Sequence, residues 1–451
     1  MSATTTLDPT LLRDVTARLA EANREVTRRY PGETGRRQPV HTVYGGAHLF
    51  KSDTAQRLGA LGVRALAEYA PDAGTLATAL ELPRGDGLAD KVYARVAEKL
   101  KREAVEDFRL DFEDGYGNRP DAEEDGHAAS AAREMAAGMK AGTLPPFIGM
   151  RIKPLNEELR GRSLRTLDIF LTALVKEAGG LPENFVVTLP KIPAAAHVAA
   201  LVDVFELLEP KLGLAAGALK MEMMIEITQS LFTPRGENHL PLLLEAARGR
   251  CTAAHFGTYD YTASCSVTAA YQHMTHPACD FAKHMMQVAY AGTGVWLSDG
   301  ATNIMPVGPH RAGAGRALSE AQARENREVV HRAWKLHYDQ ARHSLETGFY
   351  QGWDLHPAQL PTRYAAVYAF FLEGVAAASE RLRNFVAKAA QATLVGDVFD
   401  DAATGQGLLN YFLRAINCGA LSVEEALPLM SLTLDELRTA SFVKILNGRR
   451  K

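Results

Sequence analysis

KMEMMIEITQS (residues 220–230) and CTAAHFGTYDY (residues 251–261) are two short apolar runs that each lead into an acid, Glu226 closing the first and Asp260 just beyond the second. Apolar runs of this length bounded by turn residues predict buried parallel strands, and LPLLLEAARGR (residues 240–250) between them predicts the crossover helix of one β-α-β unit. In parallel sheets and barrels the loops after the strands' C-terminal ends collect the chemistry, so acids ending consecutive strands converge. Two carboxylates leave most of an octahedral shell to water and substrate oxygens, the way Mg2+ prefers to be held. Spacing alone equally allows a strand-end Glu and a loop Asp that cap helices.

At 451 residues the chain exceeds one average domain, and a barrel of about 250 residues with terminal additions accommodates it. A net charge of −3 with 23% charged residues of mixed sign points to neither nucleic acid nor an anionic membrane as partner. Four cysteines (Cys251, Cys265, Cys279, Cys418) without a C-x-x-C pair argue against a disulfide framework or structural zinc, and fit reduced cytosolic thiols. The N-terminus lacks the basic-then-apolar order of a signal peptide, and no run of about 18 apolar residues occurs, so the expectation is a cytoplasmic protein.

Working outward, residues 7–30 place Leu11, Leu12, Val15, Leu19, Ala22 and Val26 at helical steps, predicting an amphipathic arm that packs on the rest. Further strands are expected at VHTVY (40–44), FRLDF (108–112), FIGMRI (147–152), FVVTL (185–189), GVWLS (294–298) and YQGWDL (350–355). The stretch between the first two, read as helices over 57–69 and 89–103, is longer than one crossover needs and reads as an insertion. Eight strands alternating with helices predict a (β/α)8 barrel rather than a doubly wound sheet. Beyond His356-Pro357 the pattern is helical only, with a capping-box signature at Ser422 to Glu425. The expected division is a helical arm over 1–38, a catalytic barrel over 39–358 and a helical extension over 359–451.

In such a barrel the strand ends present Glu113 and Asp114, Arg151 and Lys153, Lys191, Glu226, Asp260, and Asp354 with His356. Charges gathered at one mouth are costly to desolvate, and a metal with an acidic substrate would account for them. A planar fork at Arg151 suits a carboxylate or a developing enolate oxygen, a reading the nearby acids favour over an arginine that only neutralises Glu113 and Asp114 in a structural network. His41 on the first strand reads as a structural histidine. Neither dinucleotide and P-loop glycine patterns nor a nucleophile elbow around Ser264 is present, which excludes those chemistries.

LDFEDGYGNRPDAEEDGHAA (110–129), GMRIKPLNE (149–157), TLPKI (188–192), MIEITQS (224–230), FGTYDYTAS (256–264) and GWDLHPAQL (352–360) resemble, in order and spacing, the HpcH/HpaI aldolase and citrate lyase beta-subunit superfamily. The resemblance runs from about residue 40 to 415 and is nearest to the citrate lyase beta-like and malyl-CoA lyase branch. It implies a TIM barrel of the phosphoenolpyruvate/pyruvate type, dependent on Mg2+ or Mn2+, that breaks or forms carbon–carbon bonds through an enolate of a 2-oxo acid or hydroxy acid. By motif, Glu226 and Asp260 would ligate the metal, Arg151 would stabilise the enolate oxygen, and Glu113 and Asp114 would line the site. Asp400, in LVGDVFDDAATGQG, matches an aspartate that such lyases bring over a neighbouring subunit's site, which implies a homo-oligomer, a trimer or a multiple of it. The chain has VHTVYGGAH where the coenzyme A branch has a basic residue and a V-P-G turn, so a coenzyme A thioester does not follow as substrate. Malate-synthase-like condensation, thioester hydrolysis and a non-catalytic barrel that binds a 2-oxo acid or metal are the competing readings; retention of Arg151, Glu226 and Asp260 favours an active lyase.

Overall fold

The computed structural model describes residues 6, 7, 10, 12–32, 35–83, 87–313, 317–387, 393–395, 398–400 and 402–449. Strands β1 (His41–Gly46), β2 (Asp107–Asp111), β3 (Phe147–Arg151), β4 (Phe185–Leu189), β5 (Lys220–Ile225), β6 (Cys251–Phe256), β7 (Trp296–Ala301) and β8 (Gln351–Asp354) form a closed barrel in chain order. Every neighbouring pair is parallel, and β8 returns to pair with β1. This is the (β/α)8 architecture that the alternation of apolar runs predicts.

Helix α1 (Arg13–Arg29) precedes the barrel, and three helices, α2 (Thr54–Tyr69), α3 (Ala73–Leu80) and α4 (Leu88–Arg102), fill the long interval between β1 and β2. The outer layer continues with α5 (Asp121–Ala141), α6 (Arg160–Ala178), α7 (Ala195–Lys211), α8 (Leu240–Ala246), α9 (Thr258–Ser264), α10 (Pro277–Tyr290) and α11 (Glu320–Glu346). After β8, α12 (Leu360–Ala387) packs against α4 and α11, in the place of the last outer helix. A two-stranded ribbon, β9 (Thr393–Val395) and β10 (Val398–Asp400), leads to α13 (Ala402–Asn417), α14 (Val423–Met430), α15 (Leu434–Arg438) and α16 (Phe442–Arg449). The capping box at Ser422 forms as its sequence predicts: the Ser422 hydroxyl accepts from the Glu425 N–H, and the Glu425 carboxylate from the Ser422 N–H. No described helix is long and apolar enough to cross a membrane, and the four cysteines are unbridged.

Helix α1 corrects one expectation. It forms, but none of its residues is buried, and Val15, Leu19 and Val26 are exposed. Among the described residues, none buries its apolar stripe.

The barrel interior is unusually polar for a fold whose centre aliphatic layers commonly fill. On β2 the two-residue period sends Asp107 and Arg109 inward and Phe108 outward, where its ring meets Phe50. Arg109 pairs with Asp107 through one terminal nitrogen and, through Nε and the other, with Glu222 of β5 at 3.0 and 2.6 Å. Thr188 of β4 donates to the same Glu222, and His255 of β6 faces it at 3.3 Å. One charged layer thus joins four strands. The charges in it are mutually compensated, as buried ions must be.

A second buried ion pair closes the barrel's N-terminal end. Glu209, near the end of α7, accepts from both Arg250 guanidinium nitrogens at 2.5 and 3.0 Å and from the N–H groups of Gly217 and Leu219. Burial alone would raise the Glu209 carboxyl, but Arg250 and the two backbone donors outweigh it and hold it down at about 2. A depressed folded-state value contributes stability that is present above the ordinary carboxyl range and lost as pH falls toward 2. Glu209→Gln leaves the Arg250 charge unmatched in a buried position, so we expect a loss of about 3 kcal/mol at neutral pH. Urea midpoints of the two proteins should differ most at pH 7 and converge between pH 4.5 and 2; a constant gap would contradict this assignment.

Candidate active site

The C-terminal ends of the strands surround a cavity of ≈ 340 Å3 lined by Asp111 of β2 and Asp114 after it, Arg151 of β3, Glu226 after β5, and Asp260 of α9. A larger cleft, ≈ 720 Å3, lies elsewhere, between the N-terminal side of β7 and α13, and holds none of these groups.

Arg151 is buried at the centre. Its Nε and one terminal nitrogen donate to the two oxygens of Asp111 at 2.8 and 2.5 Å, a bidentate clamp, and the other terminal nitrogen lies 3.1 Å from Glu113 and 3.5 Å from Asp114. The ring of Tyr44 lies under the guanidinium at 4.9 Å. Asp111 is itself fixed by the backbone N–H groups of Glu113 and Gly115. Three of its neighbours are therefore orientation devices for one arginine.

Lys191, in the loop after β4, holds the carboxylates together. Its backbone sits at φ +49°, and its N–H donates to Glu226 at 2.8 Å. Its ammonium donates to Glu113 and approaches Asp260 at 3.3 Å and Asp114 at 3.4 Å. Partial burial opposes its charge, but Glu226, Glu113 and Asp114 raise the Lys191 ammonium well above the ordinary lysine range.

Glu226 is 1% exposed, whereas the Asp260 side chain is 40% exposed at the rim. Burial pushes the Glu226 carboxyl up to about 8, with Asp260 and Glu113 reinforcing it against Lys191 and Arg151. Burial likewise raises Glu113 to about 7, again with a neighbouring acid, Asp114, adding to it. Burial opposes ionisation of Asp114 too, but Arg151, Glu113 and Lys191 hold its carboxyl below the ordinary value. The cluster is short of positive charge.

Glu226 and Asp260 fit a hard divalent cation. Both donors are carboxylate oxygens, and the backbone at Gly257 comes so near that a Cβ there would stand 2.6 Å from the Glu226 Oε2. Among the described residues no three His, Cys, Asp or Glu side chains form a metal cage, so a cation here would rest on the carboxylate pair and take its other ligands from water and substrate.

The structure brings Arg151, Glu113, Asp114, Glu226 and Asp260 into one cluster. Asp400 ends β10, and its side chain lies outside the described residues. Asp354 and His356 do not join the cluster, because on β8 the period of two turns Asp354 outward, where Arg363, His337 and His41 surround it. His41 also accepts from the Glu106 N–H, a structural role as its burial implies. Asp111, Lys191, Tyr44 and Trp353 are the site residues to which the sequence reading gave no role. For Asp111 a signal existed: the positions 107, 109 and 111 share the inward face of β2.

Among solved structures, a citrate lyase from Burkholderia xenovorans LB400 is similar to this chain with TM-score 0.55 and 19% identity, over 87% of this chain and 96% of that one. That likeness is one of fold. A malate synthase of Haloferax volcanii in complex with magnesium and glyoxylate gives TM-score 0.44 and 15% identity, over 89% of this chain and 97% of the other. The protein CitE of Mycobacterium tuberculosis, in complex with magnesium, acetoacetate and coenzyme A, gives 0.43 and 15%, over 73% and 95%. No curated protein matches the chain in sequence. A family model described as Domain of unknown function (DUF6986) matches residues 19–445, nearly the whole barrel and its additions, and the chain belongs to that family.

Proposed function

We propose that the protein is a Mg2+-dependent carbon–carbon lyase that cleaves or forms an aldol bond in a 2-oxo acid or hydroxy acid substrate. The observation that carries this reading is the convergence of one clamped arginine and the Glu226–Asp260 pair, from separate strand ends, on one cavity. Mg2+ held by Glu226 and Asp260 would supply a Lewis acid at the substrate carbonyl. Arg151, fixed by Asp111 and Tyr44 before substrate arrives, presents positive charge to the oxygen on which an enolate develops, so no reorganisation is needed during reaction. Lys191 shares Glu113 and Asp114 with that arginine and approaches Asp260, so part of the negative charge around Arg151 is matched from a second side. Asp114, its side chain 58% exposed, is the carboxylate able to exchange a proton between the cavity and solvent. Fold likeness alone does not name a reaction, so the reading rests on these residues.

The test is calorimetric titration of metal-stripped protein with Mg2+, then with pyruvate, oxaloacetate, glyoxylate or acetyl-CoA, each with and without metal. We expect 2-oxo acids to bind only in the presence of Mg2+, followed by retro-aldol turnover of their adducts. Absence of Mg2+ binding would overturn the reading and leave a non-catalytic barrel.

A further inference from the structure

The cavity is divided by strand order. Its charged residues stand at the ends of β2, β3 and β5 and on α9; the arc from β7 through β8 to β1 presents Ala301, Trp353, Leu355 and Tyr44, with Gly45 and Gly46 beside them. Among the described residues lining that arc, none carries a charge. Tyr259 of α9 adds a third ring at its edge.

The polar atom of each ring is turned into the protein. The Trp353 indole N–H donates to His255 Nδ1 at 3.0 Å. The Tyr259 hydroxyl donates to the Ala301 carbonyl at 2.8 Å and accepts from the Asn303 N–H. The Tyr44 hydroxyl points at the Met224 sulfur, 3.9 Å away, and its ring lies 4.6 Å from that of Trp353. What remains toward the cavity is carbon surface held in place from behind.

We infer that the substrate is a two-part molecule: a 2-oxo acid head seated among Arg151, Glu226 and Asp260, and an uncharged aryl group seated against Trp353, Tyr44, Tyr259 and Leu355. The inference rests on the lyase reading above and adds the substrate class. A second carboxylate in the place of the aryl group would be desolvated against apolar surface without a partner, which is strongly unfavourable. Offset or tilted ring packing favours a flat group at the same place. A volume of ≈ 340 Å3 accommodates such a compact molecule.

In the reaction, the bond between the carbinol carbon and its methylene neighbour breaks. The hydroxyl proton leaves, the carbinol carbon becomes an aryl aldehyde, and the bonding pair passes into the enolate of pyruvate, which takes up one proton to become pyruvate.

The experiment compares cleavage of two adducts by the full-length, Mg2+-loaded protein: pyruvate joined to benzaldehyde and pyruvate joined to glyoxylate, the latter a dicarboxylate. We expect kcat/KM for the aryl adduct to exceed that for the dicarboxylate by at least about 100-fold, and Trp353→Ala to reduce that ratio by at least about tenfold. Trp353→Phe, which keeps a ring, retains most of the ratio and guards against a general folding defect. Equal or reversed preference with measurable turnover overturns the aryl assignment and leaves the lyase reading standing. Turnover of neither adduct, with no Mg2+-dependent binding of pyruvate, overturns both.

Discussion

We expect Glu226→Gln to eliminate metal-dependent turnover. The amide keeps the shape of the side chain and an oxygen to accept from the Lys191 N–H, so the loop after β4 stays in place. It removes the buried negative charge that, with Asp260, would bind the cation. Asp260 cannot compensate, because it lies at the rim with its side chain 40% exposed and already faces the Lys191 ammonium. The backbone at Gly257 leaves no space for another carboxylate to approach from that side. If Glu226 is one of two charged ligands, its loss, and with it the Lewis acid, would correspond to a fall in kcat of at least about 1,000-fold, comparable with the loss of a principal electrostatic stabiliser. Mg2+ titration and steady-state assays on the same preparation, alongside circular dichroism, check it. Wild-type turnover in Glu226→Gln would remove the metal assignment.

Arg151→Lys has the second largest expected effect. A lysine retains the charge but not the planar fork, and only the fork satisfies both oxygens of Asp111 while a third nitrogen faces Glu113 and Asp114. The ammonium of a lysine would settle on one oxygen, off the axis set by the Tyr44 ring. We expect kcat and kcat/KM to fall together by about 100-fold, the signature of a contact that strengthens in the transition state. A rise in KM at constant kcat would instead assign Arg151 to ground-state binding.

The barrel was legible because most strands are written as short runs rich in apolar residues set between helices and turns. Its individual side chains were harder to read. LDFED carries three acids within four positions, and the resemblance draws attention to the last two; only the inward face shared by Asp107, Arg109 and Asp111 identifies the one that clamps Arg151. The same alternation removes Asp354, which an end-of-strand rule alone had gathered into the site. Lys191 could be seen as a charge after a strand, but its position as the hub of four carboxylates depends on a left-handed backbone conformation that a non-glycine residue does not advertise. The opposite failure occurs at α1, where periodicity correctly predicts the helix and says nothing about what its stripe touches. Helix α12, which follows His356-Pro357, is as apolar as a barrel helix must be and packs in the place of the last outer helix.

The charged layer inside the barrel bears on how the chain finds a single alignment. Eight short strands of mainly aliphatic residues could slide past one another at little expense, since one leucine replaces another. With Arg109, Glu222 and His255 in the interior, a slip of one residue in β2, β5 or β6 would point an ion at the helices and a phenylalanine or methionine at the axis. Every misaligned barrel then holds an unmatched ion, and the correct one does not. Salt bridges that contribute little net stability can in this way act as a proofreading device during closure of the sheet.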